Sequence, residues 1–406
     1  MNAIAAAHPI LVVALIKVVV LLFLLMTMLA YLTWFERKVI AHIQSRWGPY
    51  RVGPHGLLQP LADGLKFLFK EDLAPAGADK FVFFLAPLLT LALAITSIAL
   101  IPFGPSDITI FGQHTPLQIA DLSLGLLFLF AITSVGVYGV TLAGWSSNSK
   151  YSLLGGLRSS AQMISYELAL TLSVVGVLLM SGTLNLREII TAQQSVGWGF
   201  LHWNFFAGPM PQVLGFLCFF TASVAETNRA PFDLAEAEGE LGAGFHTEYS
   251  SFKFAMFFIG EYASMVTVAC LATILFFGGW ISPFPATPAW MWTFYIPTVG
   301  LVIAGIALIV DGIRYRTIFG RIALPVIGLV LLALGVLLSR PGIMEFAQGP
   351  FWFLLKMVTF LFIYVWVRGT LPRVRYDQLM DMGWKVLFPL ALVNVVLTSL
   401  AVAWRP

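Results

Sequence analysis

Ten apolar stretches separated by polar loops run the length of the chain, at about 10–34, 81–102, 120–143, 160–181, 208–226, 252–278, 294–311, 322–339, 350–368 and 386–404. Each is close to the roughly 20 apolar residues that a helix needs to cross the hydrocarbon core of a bilayer. Apolar residues fill them continuously and do not alternate with polar ones, which argues for helices over the strands of a barrel. The pattern predicts an all-α polytopic membrane protein of about ten transmembrane helices.

One segment has a different rhythm. In GLLQPLADGLKFLFKED, Leu57, Leu58, Leu61, Leu65, Leu68 and Phe69 recur at helical spacing, while Gln59, Asp63, Lys66 and Lys70 take the other side. A helix of ~15 residues is too short to span, so it is expected to lie along the membrane surface. The preceding RWGPYRVGPHG is turn material punctuated by glycine and proline.

Composition agrees with the spans and adds direction. Charged residues are 11% of the 406, and mean hydropathy is +0.88. Of the 23 lysines and arginines, eighteen fall in one set of loops and only Arg187, Arg340 and Arg405 in the other. The positive-inside rule then places the first set in the cytoplasm and both termini outside. Lys17 and Lys356, a turn or two inside spans near the outer end, are expected to snorkel to the interface. The apolar run Ile10–Trp34 lacks a basic start and is too long for the core of a removable signal peptide.

Several chemistries find no support in the residues. There is no phosphate-binding glycine loop and no paired-histidine metal motif, and the six histidines stand far apart. No catalytic residue or metal ligand is assigned. Cys218 and Cys270 each lie within a span and read as small buried hydrophobes. The basic residues form no patch of the kind that binds nucleic acid.

Ionisable groups at or near membrane depth remain. Six of the 20 acidic residues fall between Ala225 and Ser250: Glu226, Asp233, Glu236, Glu238, Glu240 and Glu248. Acidic residues contribute little to topology, so orientation does not account for them. Alone, this run fits a solvated loop as well as a functional one. Glu167 and Glu261 lie about two turns inside spans on the same side, where a charge needs a partner or water. Together these carboxylates make a path of the kind by which pumps and transporters pass protons. Arg37, Arg46, Arg368 and Arg373 sit near cytoplasmic helix ends; beside the surface helix they could line a cavity for an amphipathic, lipid-like ligand.

The segments FERKVIAHIQSRWGPYRVGPHGLLQPLADGLKFLFKED, GWSSNSKYSLLGGLRSSAQMISYE, AETNRAPFDLAEAEGELGAGFHTEYS and VRGTLPRVRYDQLMDMGWK resemble one family. It is the membrane-embedded H subunit (subunit 1 of mitochondria) of proton-pumping NADH:quinone oxidoreductase, respiratory complex I. The resemblance implies a subunit of the bacterial cytoplasmic membrane that joins the membrane arm to the peripheral arm. It also implies a quinone-access chamber and a coupling of quinone reduction to proton translocation. Quinone, ubiquinone for instance, would be the substrate, and partner subunits would hold FMN and the iron–sulfur clusters. The family's chamber residues fall on Glu36, Arg37, Arg46, Asp63, Arg368 and Arg373. Its acidic path falls on Glu167, Glu226, Glu236, Glu238, Glu240, Glu248 and Glu261.

The chain departs from the family's usual eight spans at 281–349, where two added apolar segments are joined by DGIRYRTIFGR. Arg314, Arg316 and Arg321 put that connector on the cytoplasmic side, so the pair preserves the orientation of everything after it. The expected organisation is a transmembrane core over 1–280, the two-helix insertion over 281–349, and two last core helices over 350–406. The equivalent subunit of a membrane-bound hydrogenase or of a complex with another electron donor stays open, because the donor site lies elsewhere. A stand-alone secondary transporter is the alternative from another class, but the inverted halves common in such folds are not visible.

Overall fold

A computed structural model describes residues 9–105, 107–110, 113–195, 197–233, 244–285, 287–315 and 317–404. The architecture is a helical bundle. Its helices are α1 (Pro9–Ile43), α2 (Gln59–Phe69), α3 (Lys80–Ile98), α4 (Gly125–Ser146), α5 (Lys150–Ser181), α6 (Leu186–Ala192), α7 (Val213–Glu226), α8 (Ser251–Phe276), α9 (Ile296–Arg314), α10 (Ile318–Leu338), α11 (Pro341–Thr370), α12 (Tyr376–Asp381) and α13 (Phe388–Ala403). A π-helical turn, Met382–Leu387, joins the last two into one rod. A single β-hairpin among the described residues, Asp107–Ile110 against Gln113–Pro116, lies between α3 and α4.

Among the described residues nine helices are long and apolar enough to cross a membrane, and the chain is a multi-pass membrane protein. The stretch expected at 208–226 differs. Its helix α7 has 14 residues, about 21 Å at 1.5 Å per residue, short of the ~30 Å hydrocarbon thickness. Gly208 has φ 97° and prolines follow at 209 and 211, so the helix starts only at Val213; it ends at Glu226, where Asn228 turns the chain with φ 48°. Non-helical backbone at this depth needs protein around it. Gln162 of α5 supplies part of that, donating to the carbonyls of Ala225 (2.7 Å) and Phe232 (2.9 Å).

Helix α8 is the axis of the bundle: 78% of its most apolar stretch is buried, against 17% for α10. It packs on α3, α7 and α11. Small residues let helices approach closely, as membrane packing favours. A Cβ on Gly144 would stand 3.1 Å from Gly156 across the α4–α5 contact. Cys218 and Cys270 are buried free thiols within α7 and α8.

Helix α2 buries none of its residues and leaves Leu61, Leu65, Leu68 and Phe69 exposed along one side, as a helix on the membrane surface does. Its C-terminus is tied to the start of α8, where Ser251 Oγ donates to the carbonyls of Phe67 (2.9 Å) and Lys70 (2.8 Å).

The two intramembrane lysines do not snorkel; backbone carbonyls hold them. Lys17 Nζ donates to Pro116 (2.8 Å) and Gln118 (3.0 Å). Lys356 Nζ donates to Phe277 (2.8 Å), Gly279 (3.0 Å) and Ile281 (2.7 Å), and lies 4.3 Å from the Trp203 ring centroid. The three carbonyls that hold Lys356 lie in the turn just beyond α8, at the negative end of its dipole, a closer home for an ammonium than the headgroups.

Candidate functional site

The site is assembled at the end of the bundle rich in lysine and arginine, from three helices and the loop after α7. Helix α1 carries Glu36 inward and Arg37 outward in consecutive positions, since neighbours on a helix point about 100° apart. Glu36 is buried. Its carboxylate accepts from Tyr262 Oη of α8 at 2.6 Å and from the Arg368 guanidinium of α11. Arg229, in the turn after α7, places Nη1 3.8 Å from Glu36 and Nη2 4.0 Å from Glu261 of α8. Its guanidinium also lies 4.1 Å from the Tyr262 ring centroid. A buried carboxylate is tolerable when paired and hydrogen-bonded, and this one has both.

Arg37 faces the surface helix and pairs with Asp63 at 2.7 Å. Asp63 is further held by Gln59 Nε2 at 2.9 Å, one turn earlier on α2. The exposed apolar side of α2 therefore lies next to a polar seam joined to α1. Arg373 pairs with buried Asp233 at 3.2 Å, and the amide of Val374 donates to the Pro231 carbonyl at 3.0 Å. These contacts pin the loop after α11 to the loop after α7. Arg46 takes no part: it is exposed beyond the end of α1 and donates to Gln44 at 2.7 Å.

The acidic residues divide into two sets. Glu261 shares Arg229 with Glu36. Glu167 of α5, half-buried, accepts from Ser134 of α4. Glu226 closes α7 with one carboxylate oxygen buried and no hydrogen-bond partner for it among the described residues. Beside it Ser223 and Tyr364 of α11 hydrogen-bond hydroxyl to hydroxyl. Glu248 is half-buried in the loop before α8. Glu236, Glu238 and Glu240 lie outside the described residues.

Close to Glu248 in the chain, His246 is buried against Phe245 and Phe254, with ring centroids 4.9 and 5.4 Å away. Burial pushes its imidazole from 6.5 down to about 4, against the raising influence of Asp233. It is a neutral ring at pH 7.

Sequence reasoning misses two residues of the cluster. Arg229 stands out only as the single cation inside the acidic stretch, and that is the available signal. Tyr262 follows Glu261 in an apolar helix and gives no signal of its own. Asp233 is visible as one of the six clustered carboxylates, but its pairing with Arg373, 140 residues further on, is not.

Comparison with known proteins gives one answer throughout. A family model described as NADH dehydrogenase matches residues 16–399. The first of the NADH-quinone oxidoreductase H subunits of Solibacter usitatus is 50% identical over 392 residues, 97% of each chain. The second H subunit of Koribacter versatilis is 51% identical over 405 residues, 97% of this chain and 98% of its own. The H subunit of Thermomicrobium roseum is 45% identical over 393 residues, 95% of this chain and 94% of its own.

Proposed function

The chain belongs to the NADH dehydrogenase family, as an H subunit of NADH-quinone oxidoreductase (complex I), and from that premise we propose that it forms the quinone-access chamber. The observation that carries this reading is the Glu36 cluster. One buried carboxylate meets Arg229, Arg368 and Tyr262, and so joins α1, the loop after α7, α8 and α11 at a single point.

A quinone has a polar carbonyl head and an apolar tail. The exposed apolar side of α2, beside the Arg37–Asp63 pair, has matching chemistry. The chain brings no redox group in this reading. Electrons come through flavin and iron–sulfur clusters in other subunits, and the isolated chain performs no catalysis. Its residues guide the quinone and respond to the charge that reduction creates.

The response runs through Arg229. With Glu36 at 3.8 Å and Glu261 at 4.0 Å, its guanidinium is a counter-ion shared by two carboxylates. Charge arriving on the chamber side draws on Arg229 and weakens its hold on Glu261. Glu226, Glu167, Glu248 and the glutamates at 236, 238 and 240 then continue an acidic path toward the pumping subunits. In the same proposal the lysine- and arginine-rich end faces the cytoplasm and the peripheral arm, both termini face the periplasm, and residues 281–349 form a unit added to the core.

The test uses the assembled complex. Arg37→Ala and Glu226→Gln are expected to lower NADH:quinone reduction while NADH:ferricyanide reduction, which bypasses the chamber, and subunit content stay at wild-type levels. A charge-assisted contact of ~1.5–3 kcal/mol corresponds to a loss of about ten- to hundredfold for Arg37→Ala. Normal quinone reduction and pumping in fully assembled variants rejects the assignment.

A further inference from the structure

The helix pair α9–α10 reaches into the loop that precedes α2. At its tip Asp311 Oδ2 lies 2.6 Å from His55 Nε2, and the Tyr315 hydroxyl oxygen accepts from the His55 backbone N–H at 2.9 Å. The His55 and Tyr315 rings meet edge to face, with centroids 5.0 Å apart. The His55 carbonyl accepts from Trp34 Nε1 of α1 at 3.3 Å, two residues before Glu36.

His55 is in the left-handed region with φ 51°, a conformation costly for a residue with a Cβ and kept only where surroundings enforce it. The enforcing contacts are the four just named. The tip that supplies most of them is itself fixed: Arg321 Nε donates to the Tyr315 carbonyl at 2.8 Å, and a Cβ on Gly320 would stand only 2.1 Å from the Tyr315 ring. Further up the pair the helices close on glycine, where a Cβ on Gly328 would meet the Gly305 carbonyl at 2.6 Å.

The His55 turn lies between a cavity and the start of α2. Before it, Trp47, Gly48, Pro49, Tyr50 and Arg51 line a cavity of about 670 Å³ together with Gln59. The Tyr50 ring stands edge-on to His55 at 6.0 Å. After it, Gln59 opens α2 and holds Asp63, the partner of Arg37.

We propose that α9–α10 is a strut and that Asp311 and Tyr315 are positioning residues for the quinone chamber: by locking the His55 turn they set the shape of the Trp47–Arg51 cavity and the start of α2. The proposal rests on the quinone-access reading above, and its experiment separates the two. In the intact complex, Asp311→Asn, Tyr315→Phe and the double variant are compared with Asp311→Glu. One readout is amide hydrogen exchange over residues 52–58, and the other is KM and kcat for decylubiquinone. Subunit content and NADH:ferricyanide activity report assembly, and Tyr315→Phe removes a single hydroxyl.

Loss of the charge-assisted contact is expected to speed exchange over 52–58 by about tenfold, with Asp311→Glu returning toward wild type. KM for decylubiquinone is expected to move by about threefold or more while kcat stays within about twofold, the signature of altered uniform binding. Unchanged exchange overturns the strut. Faster exchange with unmoved KM, in a complex that Arg37→Ala still impairs, overturns the link from strut to cavity. Faster exchange with no effect from either Arg37→Ala or Glu226→Gln leaves the strut standing and removes the quinone reading beneath it.

Discussion

Glu36→Gln is the sharpest perturbation of the cluster, because it removes a charge and keeps the shape. The carboxamide oxygen can still accept from Tyr262, now 2.6 Å away, so that hydrogen bond survives. The arginines fare differently. Arg368 is 25% exposed and water can take over part of its charge, whereas Arg229 is 4% exposed and has no such recourse. At 3.8 Å and an effective dielectric constant of ~20, the lost attraction between Arg229 and Glu36 is about 4 kcal/mol before solvation is counted. Removing one member of a buried pair costs about 3–5 kcal/mol. Glu261, still 4.0 Å from Arg229, keeps the loss near the lower bound, about 3 kcal/mol.

A large membrane complex inactivates irreversibly, so the practical measure is its half-life at a fixed temperature in detergent. If the whole of ~3 kcal/mol appears in the barrier, Glu36→Gln shortens that half-life by about a hundredfold, at 1.36 kcal/mol per tenfold. Glu36→Ala, which also takes the acceptor from Tyr262, is expected to be worse. Glu36→Gln combined with Arg368→Gln should lose less than the sum of the two, with a coupling of about 0.5–3 kcal/mol for residues in direct contact. A Glu36→Gln complex with wild-type half-life, or strict additivity in the double variant, refutes the claim that this ion cluster holds the helices together.

Two further outcomes concern groups away from the cluster. Lys356→Met leaves the carbonyls of Phe277, Gly279 and Ile281 without their donor; a buried acceptor left unpaired costs ~1–3 kcal/mol, so thermal half-life should fall while quinone turnover per assembled complex holds. A wild-type half-life removes Lys356 as the tie that holds the turn after α8. His246 has a folded-state pKa lowered to about 4, so its contribution to stability is present above about pH 6.5 and is lost as pH falls toward 4, at most ~1.4 kcal/mol per pH unit. His246→Phe, with a ring suited to the same place between Phe245 and Phe254, should flatten that acid-side decline; identical half-life profiles between pH 6.5 and 4.5 count against a buried neutral imidazole.

Much of this fold is legible in the pattern of residues, and the exceptions have physical causes. Long apolar runs and the amphipathic surface helix are local signals, and both appear as helices over nearly the expected ranges. Helix α7 is shorter than its apolar run because a hydropathy window averages over Gly208, Pro209 and Pro211, whereas a backbone cannot. Lys356 defies the snorkelling expectation because its acceptors lie some 75–79 residues away, at the end of another helix. The contacts of His55 with Asp311 and Tyr315 cross 256 and 260 residues and leave no local trace. Arg229 shows why a lone charge of opposite sign inside an acidic run merits notice: its partners, Glu36 and Glu261, come from helices on either side of it in the chain.

The carboxylates differ in what a proton would do to their surroundings. Protonating Glu36 takes a counter-ion from Arg368 and from Arg229 together, so the change is felt at once by α1, α8 and α11. Among the described residues Glu167 has a serine for its partner, and Glu226 has one oxygen with none. Either can take up or release a proton without removing the counter-ion of a buried arginine. A relay needs groups whose charge can change at low structural cost, and a coupling element needs one whose charge cannot change alone. By that criterion Glu36 with its arginines suits the transducing position, and Glu226 and Glu167 suit the carrying of protons. The two roles separate experimentally: Glu36→Gln should shorten the life of the complex, whereas Glu226→Gln should leave its half-life intact and lower the protons moved per NADH oxidised. The reverse pattern in the two variants would exchange the assignments.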